Sequence, residues 1–530
     1  MRKHLSLVLL IIFFSCGKKK DLSDLSIFKY NESAGINSLD PAFSKDQASV
    51  WAVSQLFNGL VQLDNNLNIN PCIAKSWIVS PNSLVYKFVL RDDVFFHDHK
   101  NFKDSKGRKV TAYDFEFSFS RILDNDIASP GRWVFTNVDS FKAINDSSFI
   151  IKLKKPFPGF LGLLTMQYCS VVPKEITTSI DFHANPIGTG PFKFQLWQQG
   201  EKLVFRRNPN YFESFNGNSL PFLDGVAITF LRDKQAAFLQ FIMGNTDFLS
   251  GIDASYKDEI LTKEGSLNPK YHNTINYEIQ NYLNTEYLGF LFSDTISPIK
   301  HLKIRKAINY GFDRKKMLRY LRNNIGTPAE NGFVPKGMPS FNSKLIGYNY
   351  NPEKSLELIK EVKSEYGSDL GQIKLSTTSS YLDLCEYIQN ELAKLGLEIS
   401  IDVNPPSTHR QMVATSKLSF FRGSWIADYP DAENYLSLFY SKNFSPNGPN
   451  YTHFNNSDFD SLYDISLSEV NDSIRYQYYN LMDQIIIENA QIVPLYYDNV
   501  LRFTQKNISG LASNPINMLN LKYVDKMLFK

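Results

Sequence analysis

Residues 381–403, YLDLCEYIQNELAKLGLEISIDV, decide the class of fold. The apolar spacing over 381–395 suits a helix with one buried face. Gly396 ends it, because glycine reaches the left-handed backbone of a helix C-terminus without a Cβ penalty. The run 397–403 then reads as a strand. Moving outward, 473–490 suits another helix, stopped near Pro494 and followed by the apolar 495–497. Residues 47–60 suit a third, with Val50, Val53, Leu56, Phe57 and Leu60 on one face. Residues 84–90 (LVYKFVL) alternate as a half-buried strand does, and 149–153 (FIIKL) read the same way. Helices alternating with strands after about residue 300 indicate α/β layering there. The whole chain reads as multidomain α/β with mixed α+β character and no internal repeat.

The 530 residues are 43% hydrophobic and 14% aromatic, as in a well-packed globular protein. That length suits two or three domains of ~100–200 residues each. The formal charge of +3 is nearly neutral for the size, and no basic stripe marks a nucleic-acid surface. Beyond the N-terminal leader, no apolar run reaches the ~18 residues a membrane span needs.

At the N-terminus Arg2, Lys3 and His4 precede an apolar run over 5–14 broken only by Ser6. A basic start before about 7–15 apolar residues is the pattern of a secretory signal, too short to cross a hydrocarbon core of ~30 Å. Ser15-Cys16-Gly17 resembles the bacterial lipobox, with Phe13 where that pattern usually has leucine. The resemblance implies a signal peptide over 1–15, diacylation of Cys16 and a polar tether over 16–26. Two or more acyl chains anchor stably where one binds marginally. Cys72, Cys169 and Cys385 then remain, an odd count that does not suit a disulfide framework. One bridge at most is possible, Cys72 to Cys169 or another, and the sequence does not choose it.

Several segments occur in order along the chain: Leu39-Asp40-Pro41; Leu56-Phe57-Asn58-Gly59-Leu60; Ile73-Ala74-Lys75-Ser76-Trp77; YKFVLRDDVFFH over 86–97; and Val110-Thr111-Ala112-Tyr113-Asp114-Phe115. They continue with Gly188-Thr189-Gly190-Pro191-Phe192, Arg207-Asn208-Pro209-Asn210-Tyr211, Ile304-Arg305-Lys306-Ala307-Ile308-Asn309-Tyr310 with Asp313, and Trp425-Ile426-Ala427-Asp428-Tyr429-Pro430-Asp431. Together they resemble the solute-binding family that serves peptide and nickel ABC importers, extracellular solute-binding family 5, in its oligopeptide- and dipeptide-binding branch. The resemblance implies a two-lobed periplasmic-binding-protein-like fold of type II with a hinged cleft. One lobe would be discontinuous, 27–58 with 186–280 and 500–530, and would carry an inserted domain over 59–185. The other lobe would be the α/β domain 281–499.

Carried to matching positions, the resemblance gives Asp428 the ligand's α-ammonium. A carboxylate in a closing cleft offers a free N-terminus charge-assisted bonds of ~1.5–3 kcal/mol each. It also rejects ligands that would leave it unpaired. Read locally, an aspartate before Pro430 equally suits a turn cap. Arg422 matches a position near the ligand's carboxylate, where a guanidinium fork can donate two parallel bonds; a surface arginine is the plain alternative. Trp425 would wall the cleft or belong to the core. The stretch 44–48, with Gln47, would line it, and Trp133 is a further wall candidate. A peptide held by its main chain in strand-addition fashion, with hydrated side-chain pockets, implies broad specificity set by length and free termini.

Other groupings carry less. His97-Asp98-His99 reads as a solvated turn rather than a metal site, since no further ligand lies at suitable spacing. Neither an H-E-x-x-H helix nor a G-x-S-x-G elbow occurs. Gly188-Thr189-Gly190-Pro191 lacks the Lys-Ser/Thr ending of a phosphate loop and reads as a turn re-entering the first lobe. Arg305 and Asp313 read as a surface or interlobe ion pair. The expectation is a monomeric, lipid-anchored binder of short peptides on the periplasmic or cell-surface side of a bacterial membrane. It would deliver to ABC importer permease subunits, with no catalysis, metal, cofactor or nucleic acid. A nickel chelate, haem, sugar or signalling peptide is the alternative ligand, and a non-transport surface lipoprotein the more distant reading.

Overall fold

The computed structural model describes residues 25–177, 182–253, 255–293, 297–367 and 370–528. The leader, Cys16 and nearly all of the tether lie outside the described residues.

Two long strands, Ile275–Phe290 and Ile492–Gln505, organise the molecule. They pair antiparallel from Ile275↔Gln505 to Asn281↔Asn499 and again from Thr285↔Tyr497 to Gly289↔Ile492. Between these ladders 282–284 face only Asp498, and unpaired residues of this kind bend and twist a ladder locally. On one side of the break the sheet continues through Phe248–Ser250, Ile27–Asn31, Gly225–Thr229, Lys202–Arg207 and Phe192–Gln198. On the other it continues through Phe420–Ile426, Ile373–Thr377 and Ile399–Val403. These halves are the two lobes of a periplasmic-binding-protein fold, and the break between the shared strands is where they can hinge.

In the second lobe Ile399–Val403, Ile373–Thr377 and Phe420–Ile426 are parallel neighbours, so each connection must cross over through a helix. Leu382–Ala393 supplies one crossover, burying Leu384, Cys385, Ile388 and Leu392 against Ile373, Leu375, Ile399 and Phe420. Gly396 adopts φ +78° after it, as the sequence predicts. A separate antiparallel sheet runs Ala74–Val79, Val85–Leu90, Ser148–Leu153, Val138–Asn145. Helix Ala112–Leu123 packs on it, opened by a Thr111/Asp114 capping box, with Phe119 5.6 Å from Phe149 and 5.7 Å from Phe141 between ring centres.

Three expectations change. The helix from Gln47 ends at Leu56 rather than 60, with Phe57 extended at φ −131°. A tertiary contact stops it: Gly190 N–H donates to the Leu56 carbonyl at 2.8 Å. The approach needs glycine, since a Cβ on Gly188 would lie 2.0 Å from the Leu56 oxygen. His97 is not solvated; it is 3% exposed and braces that same loop. Its Nε2 donates to Gly190 O at 3.0 Å and its Nδ1 accepts from Gly188 N at 3.4 Å. Burial pushes its pKa down to about 4, so it is the neutral tautomer that braces the loop. Arg305 makes no ion pair with Asp313. It is buried, donating to the carbonyls of Ile299, Lys300, Asn489 and Ala490, while Asp313 N-caps helix Arg314–Leu321. Cys72, Cys169 and Cys385 are all free and buried.

Candidate functional site

A cleft of about 840 Å³ opens between the lobes beside the hinge. The first lobe contributes Ser44, Lys45, Asp46 and Gln47, the turn leading into helix Gln47–Leu56, which Asp46 caps by accepting from Ser49 N. Ala48, grouped with them from sequence, is buried inside that helix. Trp133 and Tyr168 face the cleft from the 3-10 turns Pro130–Phe135 and Gln167–Cys169. Tyr282 enters from the hinge. The second lobe adds Trp425, Ile426 and Asp428, where strand Phe420–Ile426 runs out.

The turn from 425 to 434 is built around one amide. Asn434, 5% exposed, accepts from Trp425 Nε1 at 2.9 Å and from Asp428 N at 3.2 Å through its Oδ1. Its Nδ2 donates to Asp428 Oδ2 at 3.3 Å. Asp428 opens onto the cleft, yet the surrounding walls remove enough water to hold its carboxyl above the usual aspartate range. The Asn434 donor offsets only part of that shift. Among the described residues no cation stands within ion-pair distance of Asp428.

Tyr429 borders the cleft too, with its ring packed onto the neighbouring unit. Its ring is 4% exposed, edge-on to Phe157 at 6.2 Å and seated over Gly159 and Gly162. This closes the second lobe onto the unit that carries the four-stranded sheet. Its hydroxyl and that of Tyr463 both donate to the carboxylate of Glu433, whose pKa burial pushes up to about 7.

Of the residues singled out by sequence, Gln47, Trp133, Trp425 and Asp428 come together on the cleft. Arg422 does not line it. Its guanidinium pairs with Glu286 and lies 3.4 Å from the centre of the Tyr381 ring. Among the described residues no group of three or more His, Cys, Asp or Glu is arranged to hold a metal ion, and no helix is long and apolar enough to cross a membrane.

The profile of the bacterial extracellular solute-binding proteins, family 5, matches residues 68–447, well over half of the chain. The chain belongs to that family. Its similarity to single relatives is lower but runs nearly end to end. It is 25% identical to Heme-binding protein A of Haemophilus influenzae over 518 residues, covering 93% of this chain and 91% of the relative. It is 23% identical to Dipeptide-binding protein DppE of Bacillus subtilis over 543 residues, covering 96% and 93%. The fold is that of the periplasmic binding protein DppA from Helicobacter pylori, solved with peptide STSA, at TM-score 0.79 and 23% identity, covering 94% of this chain and 98% of that one. This is therefore an extracellular solute-binding protein with the two-lobed architecture of its family.

Sequence reading missed Tyr168, Tyr282 and Asn434. Asn434 left a faint signal, since a side chain six residues past Asp428 can close a turn on it. Tyr168 and Tyr282 left none, because only packing between distant segments brings them to the cleft.

Proposed function

We propose that this protein captures short peptides in the interlobe cleft and delivers them to an ABC importer, catalysing nothing itself. The observation that carries the reading is Asp428, a carboxylate facing an aromatic-walled cleft with one amide donor and no cation. A ligand ammonium supplies the missing charge, in bonds of ~1.5–3 kcal/mol each. Trp425 and Trp133 would wall the first residues of the ligand, and Gln47 would contact its main chain. Diacylation at Cys16 would hold the protein on the periplasmic or cell-surface side of a bacterial membrane, where it would work as a monomer. The segments 27–58, 186–280 and 500–530 would form one lobe, with 59–185 inserted in it and 281–499 as the other. Relatives named for dipeptides and a neighbour solved with a peptide support this ligand class. A haem reading draws on the Haemophilus relative, but a porphyrin brings no ammonium and would leave Asp428 unpaired.

Mass spectrometry of ligand released from the purified protein tests the reading. A mixture of short peptides supports it, and a single sugar, porphyrin or metal complex refutes it. Asp428→Ala is expected to weaken tripeptide binding by ~2–5 kcal/mol, the scale for removing one partner of a buried charge pair. Unchanged affinity by calorimetry would remove Asp428 from the site.

A further inference from the structure

We infer that the cleft reads only the N-terminal ammonium of its ligand and is indifferent to the C-terminal carboxylate. The accepted class then includes peptide amides and peptides extended at their C-termini. The inference rests on the peptide reading of Asp428 and follows from how the neighbouring cations are used.

Arg422 is matched to Glu286, and their side chains are 13% and 3% exposed. Asn284 Nδ2 also donates to Glu286, at 3.2 Å, and the Tyr381 hydroxyl stands 3.5 Å from it. The Tyr381 ring covers the Arg422 guanidinium. Drawing Arg422 toward a ligand carboxylate would strand Glu286, and an uncompensated buried charge costs more than the new pair returns. Arg322 is held likewise, 3.7 Å from Asp498, which Asn284 also contacts at 3.4 Å. Lys522, on the far cleft wall, is only 6% exposed, pairs with Glu213 and donates to Gln62 at 2.8 Å. Each of these cations already has its carboxylate.

Among the described residues Lys45 is the remaining cation on the cleft wall, and it is exposed. An exposed lysine holding a carboxylate gives at most about a 5-fold preference, since solvent screening and side-chain entropy consume the Coulomb gain. Asp428 also opens onto the cleft, but Asn434 holds its amide at 3.2 Å and its carboxylate at 3.3 Å, so it is fixed in place before the ligand arrives, whereas the long lysine side chain must be ordered on binding. The two ends of a bound peptide are thus treated unequally.

The test is equilibrium dialysis of the full chain against an Ala-X-Ala library in three forms: free acid, C-terminal amide and N-acetylated acid. Retention is read by mass spectrometry. The acid and amide are expected to agree within about 5-fold, while acetylation lowers retention at least about 30-fold. A loss of 10-fold or more on amidation, with acetylation still harmful, overturns the inference and leaves the peptide reading intact. Equal retention of the acetylated form, or no retention of any form, overturns both.

Discussion

Replacing Asn434 separates the orientation of the carboxylate proposed to bind ligand, Asp428, from its presence. In Asn434→Leu the Trp425 indole N–H loses its acceptor at 2.9 Å, the Asp428 amide loses one at 3.2 Å, and the Asp428 carboxylate loses its donor at 3.3 Å. Leaving the indole donor unsatisfied costs ~1–3 kcal/mol of stability, and the other two long bonds about 1 kcal/mol each at most. Binding loses the preorganisation of Asp428 and of the Trp425 wall. A loss of ~1–2 kcal/mol corresponds to a roughly 5- to 30-fold rise in tripeptide Kd. The mutation should also carry a pH signature that a general loosening would not. Without its donor, the Asp428 carboxyl rises further above the usual aspartate range, so affinity begins to fall at a higher pH. Asn434→Asp keeps an acceptor for the indole but sets a second carboxylate beside Asp428. It should move that edge further upward while leaving the Trp425 indole resonance near its wild-type position. Calorimetry from pH 5 to 8, thermal unfolding and indole 1H–15N spectra measure these quantities. If Asn434→Leu folds, binds a tripeptide with wild-type affinity and keeps the wild-type pH edge, Asn434 does not orient the site.

Tripeptide affinity of the wild type should fall as pH drops below the raised pKa of Asp428, by up to about tenfold per unit, because the protonated acid cannot receive an ammonium; titration calorimetry should find the fall abolished in Asp428→Asn. Glu433, pushed up to about 7 from 4.5, binds its proton more tightly in the folded chain than in the unfolded one. Its contribution is therefore most favourable below about pH 4.5 and is lost as pH rises through 7, a change of about 3 kcal/mol. Glu433→Gln should flatten chemical-denaturation stability between pH 5 and 8 by up to that amount, leaving a residual slope from the buried Asp483, also near 7. Gly188→Ala would place a methyl 2.0 Å from the Leu56 carbonyl oxygen, and a fall in melting temperature corresponding to ~1–3 kcal/mol should follow; an unchanged melting curve would mean the loop has room to move.

Where the pattern depended on neighbours along the chain, the sequence was readable. The helix Leu382–Ala393, its glycine stop and the strand Ile399–Val403 follow from spacing and from the conformational freedom of one residue. The strands Val85–Leu90 and Ser148–Leu153 follow from alternation. What failed depended on distant partners. The helix from Gln47 was overextended because Gly190, more than a hundred residues later, takes the Leu56 carbonyl. His97 looked solvated for the same reason, since the loop that buries it is remote in sequence. Arg305 looked like a surface cation because nothing local shows that four backbone carbonyls await it.

The ordered motifs by themselves pointed to the family and with it the two-lobed fold, because residue order is a property of the chain alone. Tertiary structure decided the rest. It brought Gln47, Trp133, Tyr168 and Tyr282 to one cleft, left Asp428 without a cation among the described residues, and bound Arg422 to Glu286. Whether a charge is free or neutralised depends on what packs within a few ångströms of it, and here those neighbours come from strands more than a hundred residues apart.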